Sequence, residues 1–309
     1  MKKPRFVLSL ITDENDYQRQ QASGAQEAAM RLGVDLQTLF ARNDAIHQSQ
    51  QLLDVIQARN GGVSGILVEP ASRTAFPIVA EAAVKAGIGW IVLNGEADYL
   101  HALRSSSNVP VFAVSADNHE IGRIQGRQLA AVLPAGGSVL YLEGPSLSTV
   151  TEQRAAGMRE TKPENINARV LKSANWTEEA GFNAVASWLR LSTSAREQIN
   201  LVQAQNDFLA LGARRAMEES SSGQELKSNL PFLGVDGLER TGQAWVRQGL
   251  LTATIVVPAT TSTALDALVA SLERGIPPAE RTLVESKSFP SHKELTRRGN
   301  WLSPADQGS

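Results

Sequence analysis

Short apolar runs recur along this chain and alternate with longer stretches whose apolar positions fall at helical spacing. The first runs begin near Arg5, Val34, Val63 and Ile88, about 25–29 residues apart, the length of one strand–helix repeat. The first intervening helix is expected over roughly Gln18–Leu32, with Ala22, Ala25, Ala28, Ala29 and Leu32 facing inward and Gly33 as its terminating cap. A second is expected over about Ile46–Arg59 and a third over Thr74–Lys85, closed by Ala86-Gly87. After Val111-Phe112-Ala113-Val114 the pattern restarts, with Asn118 expected to cap a helix that runs through Leu133. Strands should follow at Ser138–Glu143, Ala168–Lys172, Ile199–Gln205 and Pro231–Val235, with helices at about Thr151–Thr161, Thr177–Leu191 and Phe208–Glu219 between them. Two successive βα sets predict an α/β protein with parallel sheets flanked by helices, in two similar lobes rather than one large sheet. Ser105-Ser106-Ser107-Asn108 and Ser220-Ser221-Ser222-Gly223 read as surface loops, and Ser303–Ser309 as a frayed tail.

The most telling stretch is Leu201–Gly212. An apolar run ends in Gln205, Asn206 and Asp207, and a helical pattern starts at once with Phe208, Leu209 and Leu211. That order puts three polar side chains at the carboxyl end of a strand, where open α/β sheets hold their ligands. Phe232-Leu233-Gly234-Val235-Asp236-Gly237 repeats the theme, with an acid and a glycine closing a second apolar strand. Two polar strand ends in succession suit a small, hydrogen-bonding molecule.

At 309 residues the chain is long for one core and comfortable for two. Thirty basic residues against thirty-two acidic ones leave a net charge of −2, without the basic excess of a general nucleic-acid binder. The absence of cysteine excludes disulfides and thiolate chemistry but does not fix the compartment. No apolar run approaches the ~18–20 residues of a membrane span. Met1-Lys2-Lys3-Pro4 is basic, but the apolar residues after it give way to Asp13, Glu14 and Asp16, so Arg5–Ile11 is expected to be the first strand rather than a signal sequence. Location is then periplasm or cell envelope if an export signal has been removed, and cytoplasm if Met1 is the native start.

Catalytic, metal and cofactor motifs are missing. No G-x-G-x-x-G or G-x-x-x-x-G-K-[ST] follows a strand, and no G-x-S-x-G elbow is present. Gly61-Gly62 and Gly136-Gly137 lead into strands and read as turns. His47, His101, His119 and His292 show no ligand spacing, and Asp13-Glu14-Asn15-Asp16 lacks the glycine of a calcium loop. No catalytic residue, metal site or cofactor is expected.

Blocks along the whole length carry a family likeness: Gly24-Ala25-Gln26-Glu27-Ala28 with Leu32-Gly33, Gly65-Ile66-Leu67-Val68-Glu69-Pro70, Ser115-Ala116-Asp117-Asn118 with Gly122 and Gly126, and Arg154-Ala155-Ala156-Gly157. Ala204–Asp207 with Ala210–Ala213, Gly234–Gly237 and Gly249–Ile255 continue it in order. In these the chain resembles the type I periplasmic sugar-binding proteins, the ribose- and galactose-binding group, which share their lobes with the ligand-binding core of LacI-type repressors. The resemblance implies two Rossmann-like three-layer lobes joined by a three-crossing hinge: residues 1–116 with 258–285, and 117–257 with 286–309. It implies a monomeric solute-binding protein that closes on a sugar or sugar-like polyol and presents it to an ABC permease or a sensor, without enzymatic turnover. The competing expectation is a cytoplasmic LacI-type sensing core acting through a regulator or kinase. DNA binding by the chain itself is not expected, since such repressors carry a helix-turn-helix module before the first strand, which here starts about five residues in.

Positions matching the family's ligand site are Asn15, Tyr17, Gln18, Glu69, Asn94, Arg154, Trp176, Asn206 and Asp236. Planar amides and carboxylates suit vicinal hydroxyls, and an aromatic face suits the C–H patches of a sugar ring. Several have a plainer alternative. Asn206 can simply cap the next helix, Asp236-Gly237 can be a turn, and Arg154 can be a surface residue. Trp176 can staple its own helix, Glu69 can be loop structure before Pro70, and Phe208 reads as core. The chain also departs from the pattern of the pentose binders. Gln18 stands where a second aromatic is expected, Asn94-Gly95 replaces an Asp-Arg pair, Val256-Val257 replaces a glutamine, and Glu69 replaces a neutral amide. Ribose is therefore in doubt, and a different monosaccharide, a polyol or a ligand with a cationic group stays open.

Overall fold

The computed structural model describes residues 3–58, 62–72, 76–95, 97–146, 148–191, 198–220 and 230–298. They run as β1 (Arg5–Leu10), α1 (Asp16–Leu32), β2 (Asp35–Phe40), α2 (Ala45–Gln57), β3 (Val63–Val68), α3 (Pro77–Lys85), β4 (Gly89–Leu93), α4 (Leu100–Ser105) and β5 (Val111–Ala116). Next come α5 (Asn118–Val132), β6 (Gly137–Glu143), α6 (Thr149–Thr161), β7 (Ile166–Lys172), α7 (Glu178–Leu189), β8 (Leu201–Ala204), α8 (Asp207–Glu219) and β9 (Phe232–Leu233). The described residues end with α9 (Gly242–Arg247), β10 (Thr254–Val256), α10 (Thr260–Arg274), β11 (Arg281–Val284), β12 (Lys287–Phe289) and α11 (His292–Arg298). Two compact units result: the chain up to Ala116 with Pro258–Glu285, and Asp117–Val257 with the segment from Ser286 onward. The chain thus passes from one unit to the other at Ala116–Asp117, Val257–Pro258 and Glu285–Ser286.

The first unit is a six-stranded parallel sheet in the spatial order β2-β1-β3-β4-β5-β11. Its inner strands are covered on both faces, which is why they read as largely apolar runs rather than as alternating ones. Successive residues serve opposite layers. Val7, Ile66, Val68, Trp90 and Val92 pack with Leu52 of α2, Val79 and Ala83 of α3 and Leu100 of α4. Phe6, Leu8, Leu67, Ile91 and Leu93 pack with Ala25 and Ala29 of α1 and with Leu265 and Leu268 of α10. Gly33 ends α1 as its composition predicts. Its φ of 68° lies in the left-handed region and its N–H returns to the carbonyls of Ala29 and Met30.

The second unit repeats the plan with a parallel sheet ordered β7-β6-β8-β9. Leu140, Leu142, Val202 and Ala204 pack on α7 and α8 through Val185, Leu209 and Ala213. Val139, Tyr141 and Leu201 pack on α5 and α6 through Leu129, Ala155 and Met158. Beyond β9, β10 pairs antiparallel with β12. Helices α5 and α6 touch backbone to backbone. A Cβ on Gly122 would stand 2.1 Å from the Arg154 carbonyl oxygen, and one on Gly157 would stand 2.0 Å from that of His119. Among the described residues no helix is long and apolar enough to cross a membrane.

Several expected boundaries shift. Asp117, not Asn118, caps α5: its carboxylate accepts the Glu120 N–H at 2.8 Å, while Asn118 lies inside the helix and uses its amide elsewhere. The third helix begins at Pro77, which needs no N–H partner at a first helical position. β8 and β9 are shorter than the apolar runs that signalled them, because their neighbours pair only over the central residues. The six-residue α4 has no periodic signature of its own. Arg59, Gly61, Thr74, Ser221–Gly223 and Ser303–Ser309 lie outside the described residues.

Candidate functional site

In each sheet the strand order reverses once, between β1 and β3 in the first unit and between β6 and β8 in the second. Ligands of open α/β sheets sit beyond the carboxyl ends of the strands at such points. The sequence-predicted residues divide between the two units, most of them just beyond the carboxyl ends of strands.

In the first unit, Asn15 caps α1, its side-chain oxygen accepting the Gln18 N–H at 2.9 Å. Gln18 is itself buried, and its Oε1 accepts the Ile11 N–H at 3.2 Å, tying the helix to the end of β1. Tyr17 is half-buried on the same turn. Glu69 follows β3. Its backbone is fixed by its N–H to Ser9 O at 2.9 Å, and by Gln48 Nε2, which donates to Glu69 O and to Ser9 Oγ, each at 2.9 Å. The residue is 7% exposed, and its carboxylate Oε2 is buried with no well-formed hydrogen bond. Burial pushes its pKa from 4.5 to about 7, with the amides of Gln18 and Asn94 offsetting part of that rise. Asn94 follows β4 at φ 50°, a left-handed conformation that asparagine tolerates, with its N–H on Val114 O at 3.0 Å. Both polar atoms of its side chain are buried and neither makes a well-formed hydrogen bond, although the amide lies close enough to the Glu69 carboxylate to favour its charge. Orphaned groups of this kind are rare in folded proteins and call for an explanation.

In the second unit, Arg154 lies on α6 at 6% exposure, so it is no surface residue. Its Nε donates to Asn118 Oδ1 at 3.0 Å and its Nη1 to the Gln205 carbonyl, and its guanidinium stands 5.9 Å from the Trp176 ring. Trp176 lies against Gly144, where a Cβ would come within 2.1 Å of the ring, and it precedes the Thr177 cap of α7. It does not staple that helix, because the position it would reach is Gly181. Asn206 does cap α8, its oxygen accepting the Leu209 N–H at 2.8 Å, while its Nδ2 donates to Trp176 O at 2.9 Å. One donor hydrogen and one lone pair of the amide stay uncommitted in those bonds. Asp236 ends the β9 segment at φ 111°, a conformation that costs a non-glycine residue and clusters at functional positions. Burial lifts its carboxyl from 3.8 to about 7, offset by the charge of Arg154. The neighbouring Asp207 is also raised well above the usual carboxylate range, first by burial and then by the charge of Asp236. Two carboxyls in one desolvated place titrate as a pair. Phe208, expected in the core, is half-buried and stands edge-on to Trp245 at 5.2 Å.

Two residues beside Asn206 turn out to hold the site together. Gln205 accepts from Gly144 N and donates to Tyr141 Oη and Thr151 O, so its side chain fixes β6, β8 and α6 to one another. Asp207 accepts from Gly237 N at 2.8 Å and Thr254 Oγ1 at 2.6 Å, fixing the Asp236-Gly237 turn. Their signal was the unbroken polar run after β8. Among the described residues no group of three His, Cys, Asp or Glu is arranged to hold a metal ion.

A family model described as a periplasmic binding protein domain matches residues 6–273. The chain belongs to that family. Among similar proteins, a D-ribose/D-allose-binding protein of Pseudomonas aeruginosa is 28% identical over 241 residues, covering 77% of this chain and 72% of that protein. A ribose import binding protein of Escherichia coli is 27% identical over 256 residues, covering 82% and 79%. A periplasmic solute binding protein of an ABC transporter from Actinobacillus succinogenes, solved with bound D-allose, has a TM-score of 0.81 at 25% identity and covers 96% of this chain and 100% of its own. The family is one of binding proteins, and its two-unit parallel α/β architecture is the one found here.

Proposed function

We propose that this chain is a solute-binding protein that captures a sugar or sugar-like polyol between its two units and hands it to an ABC permease or a sensor. The carrying observation is that both units present buried polar groups at their strand ends: Glu69 Oε2 and the Asn94 amide, which lack well-formed hydrogen bonds, in one, and the Asp236 carboxyl, held at a positive φ, in the other. Asn15, Tyr17 and Gln18 would complete the first surface, and Arg154, Trp176 and Asn206 the second. Planar amides and carboxyls pair with vicinal hydroxyls, and the Trp176 ring offers an apolar face. The similar ribose- and allose-binding proteins support the same ligand class. The three passages of the chain between the units are the natural hinge. A ligand touched by both units stabilises the closed arrangement by the contacts it makes only there. Turnover is not part of this reading. The family's location favours the periplasm.

The test is thermal unfolding and calorimetry over a panel of pentoses, hexoses, pentitols and inositols. A true ligand at a hundred times its Kd adds about 2.7 kcal/mol to stability and raises Tm accordingly. Stabilisation by an unrelated class, with none from the panel, would contradict the reading.

A further inference from the structure

We infer that the solute carries an ammonium group, as in an amino sugar or amino polyol, and that Glu69 together with Asn94 receives it. This rests on the solute-binding reading and narrows it to a chemical class.

The first unit's cluster is acceptor-rich and lacks a cation. Glu69 is its charged member, at 7% exposure, and among the described residues no lysine, arginine or histidine pairs with it. The second unit is built differently, because there Arg154 offsets Asp236 and Asp207. A buried carboxylate without a counter-charge is costly, and natural proteins pair such groups. On the neighbouring strand end, neither polar atom of the Asn94 side chain makes a well-formed hydrogen bond. Other acceptors close by are already used, Gln18 Oε1 by Ile11 and Asn15 Oδ1 by Gln18. The unmet acceptors are therefore Glu69 Oε2 and Asn94 Oδ1, at the ends of β3 and β4. A ligand hydroxyl has one hydrogen to give and serves one of them. An ammonium has three donors and a charge, so it serves both and neutralises the carboxylate.

The experiment compares matched pairs by calorimetry at pH 7: D-glucosamine with D-glucose, D-galactosamine with D-galactose, and a 1-amino-1-deoxypentitol with its pentitol. In the wild-type protein the amino member of the best-binding pair should bind at least about tenfold more tightly than its parent, the worth of one charge-assisted hydrogen bond. In Glu69→Gln that ratio should fall to about one. Only the ratio within one protein is compared, so a general loss of affinity in the variant does not imitate the effect. If the variant binds nothing, the wild-type ratio decides. A wild-type ratio near or below one overturns the inference and leaves the solute-binding reading standing. A high ratio that survives Glu69→Gln overturns the assignment to Glu69. Failure of every compound to bind, while an unrelated class stabilises the protein, removes both.

Discussion

Replacing Glu69 by glutamine in the ligand-free protein should change how stability depends on pH. The carboxyl titrates at 4.5 when unconstrained and at about 7 in the folded chain, because burial disfavours its charge. The folded state thus holds this proton more tightly than the unfolded one. Below 4.5 the group is protonated in both states and costs nothing. Between 4.5 and about 7 stability is lost steadily as pH rises, and above that the loss is complete. At ~1.36 kcal/mol per pH unit the full cost is about 3 kcal/mol. Glutamine keeps the shape and has no proton to lose, so it should match the wild type near pH 4.5 and exceed it by about 3 kcal/mol at pH 8. Asp236 adds a slope of the same sign in the other unit, so a readout confined to the first unit is needed. Amide hydrogen exchange in β1, β3 and β4 supplies it, since those strands form that unit's core. If the two proteins run parallel from pH 5 to 8, or the variant is the weaker at pH 8, the carboxylate is not stranded as described.

Gly122→Ala should force α5 and α6 apart, since its new methyl meets the Arg154 carbonyl oxygen at 2.1 Å. A loss of roughly 2 kcal/mol or more is expected in chemical unfolding of the second unit, with weaker solute binding because α6 carries Arg154. Asn206→Ala removes the α8 cap, worth about 1 kcal/mol, and the tether to Trp176. Asn206→Ser should restore most of the stability in urea titration but not the solute affinity, because serine caps the helix without reaching Trp176. Thr254→Val withdraws the hydroxyl from Asp207 and should cost about 1–3 kcal/mol, read as a lower unfolding midpoint.

The layered fold was legible because its strands are buried on both faces. Phe6–Leu8 and Trp90–Leu93 are apolar without interruption and fully buried, and no half-exposed strand reads that way. Gly33 and Asn206 announced helix boundaries through local chemistry, which a sequence displays directly. Site positions could be placed at strand ends for the same reason. What stayed hidden depends on partners far along the chain. Gln125 and Gln128 look like ordinary polar helix residues, yet both are fully buried, bonding to Ala204 O at 3.0 Å and to Thr254 O at 3.1 Å respectively. Asp207 reads as a helix-opening acid, and nothing local reveals that Thr254 and Gly237 close on it. Asp117 and Asn118 are equally good caps by type, and only the pull of Arg154 on Asn118 separates them.

The most direct measurement is a crystal structure grown with a solute that raises Tm. Density for that molecule should contact Glu69 or Asn94 and, at the same time, Asn206 or Asp236, so that residues from both units hold it. A solute bound to one unit alone, or seated away from the strand ends, would contradict capture between the units.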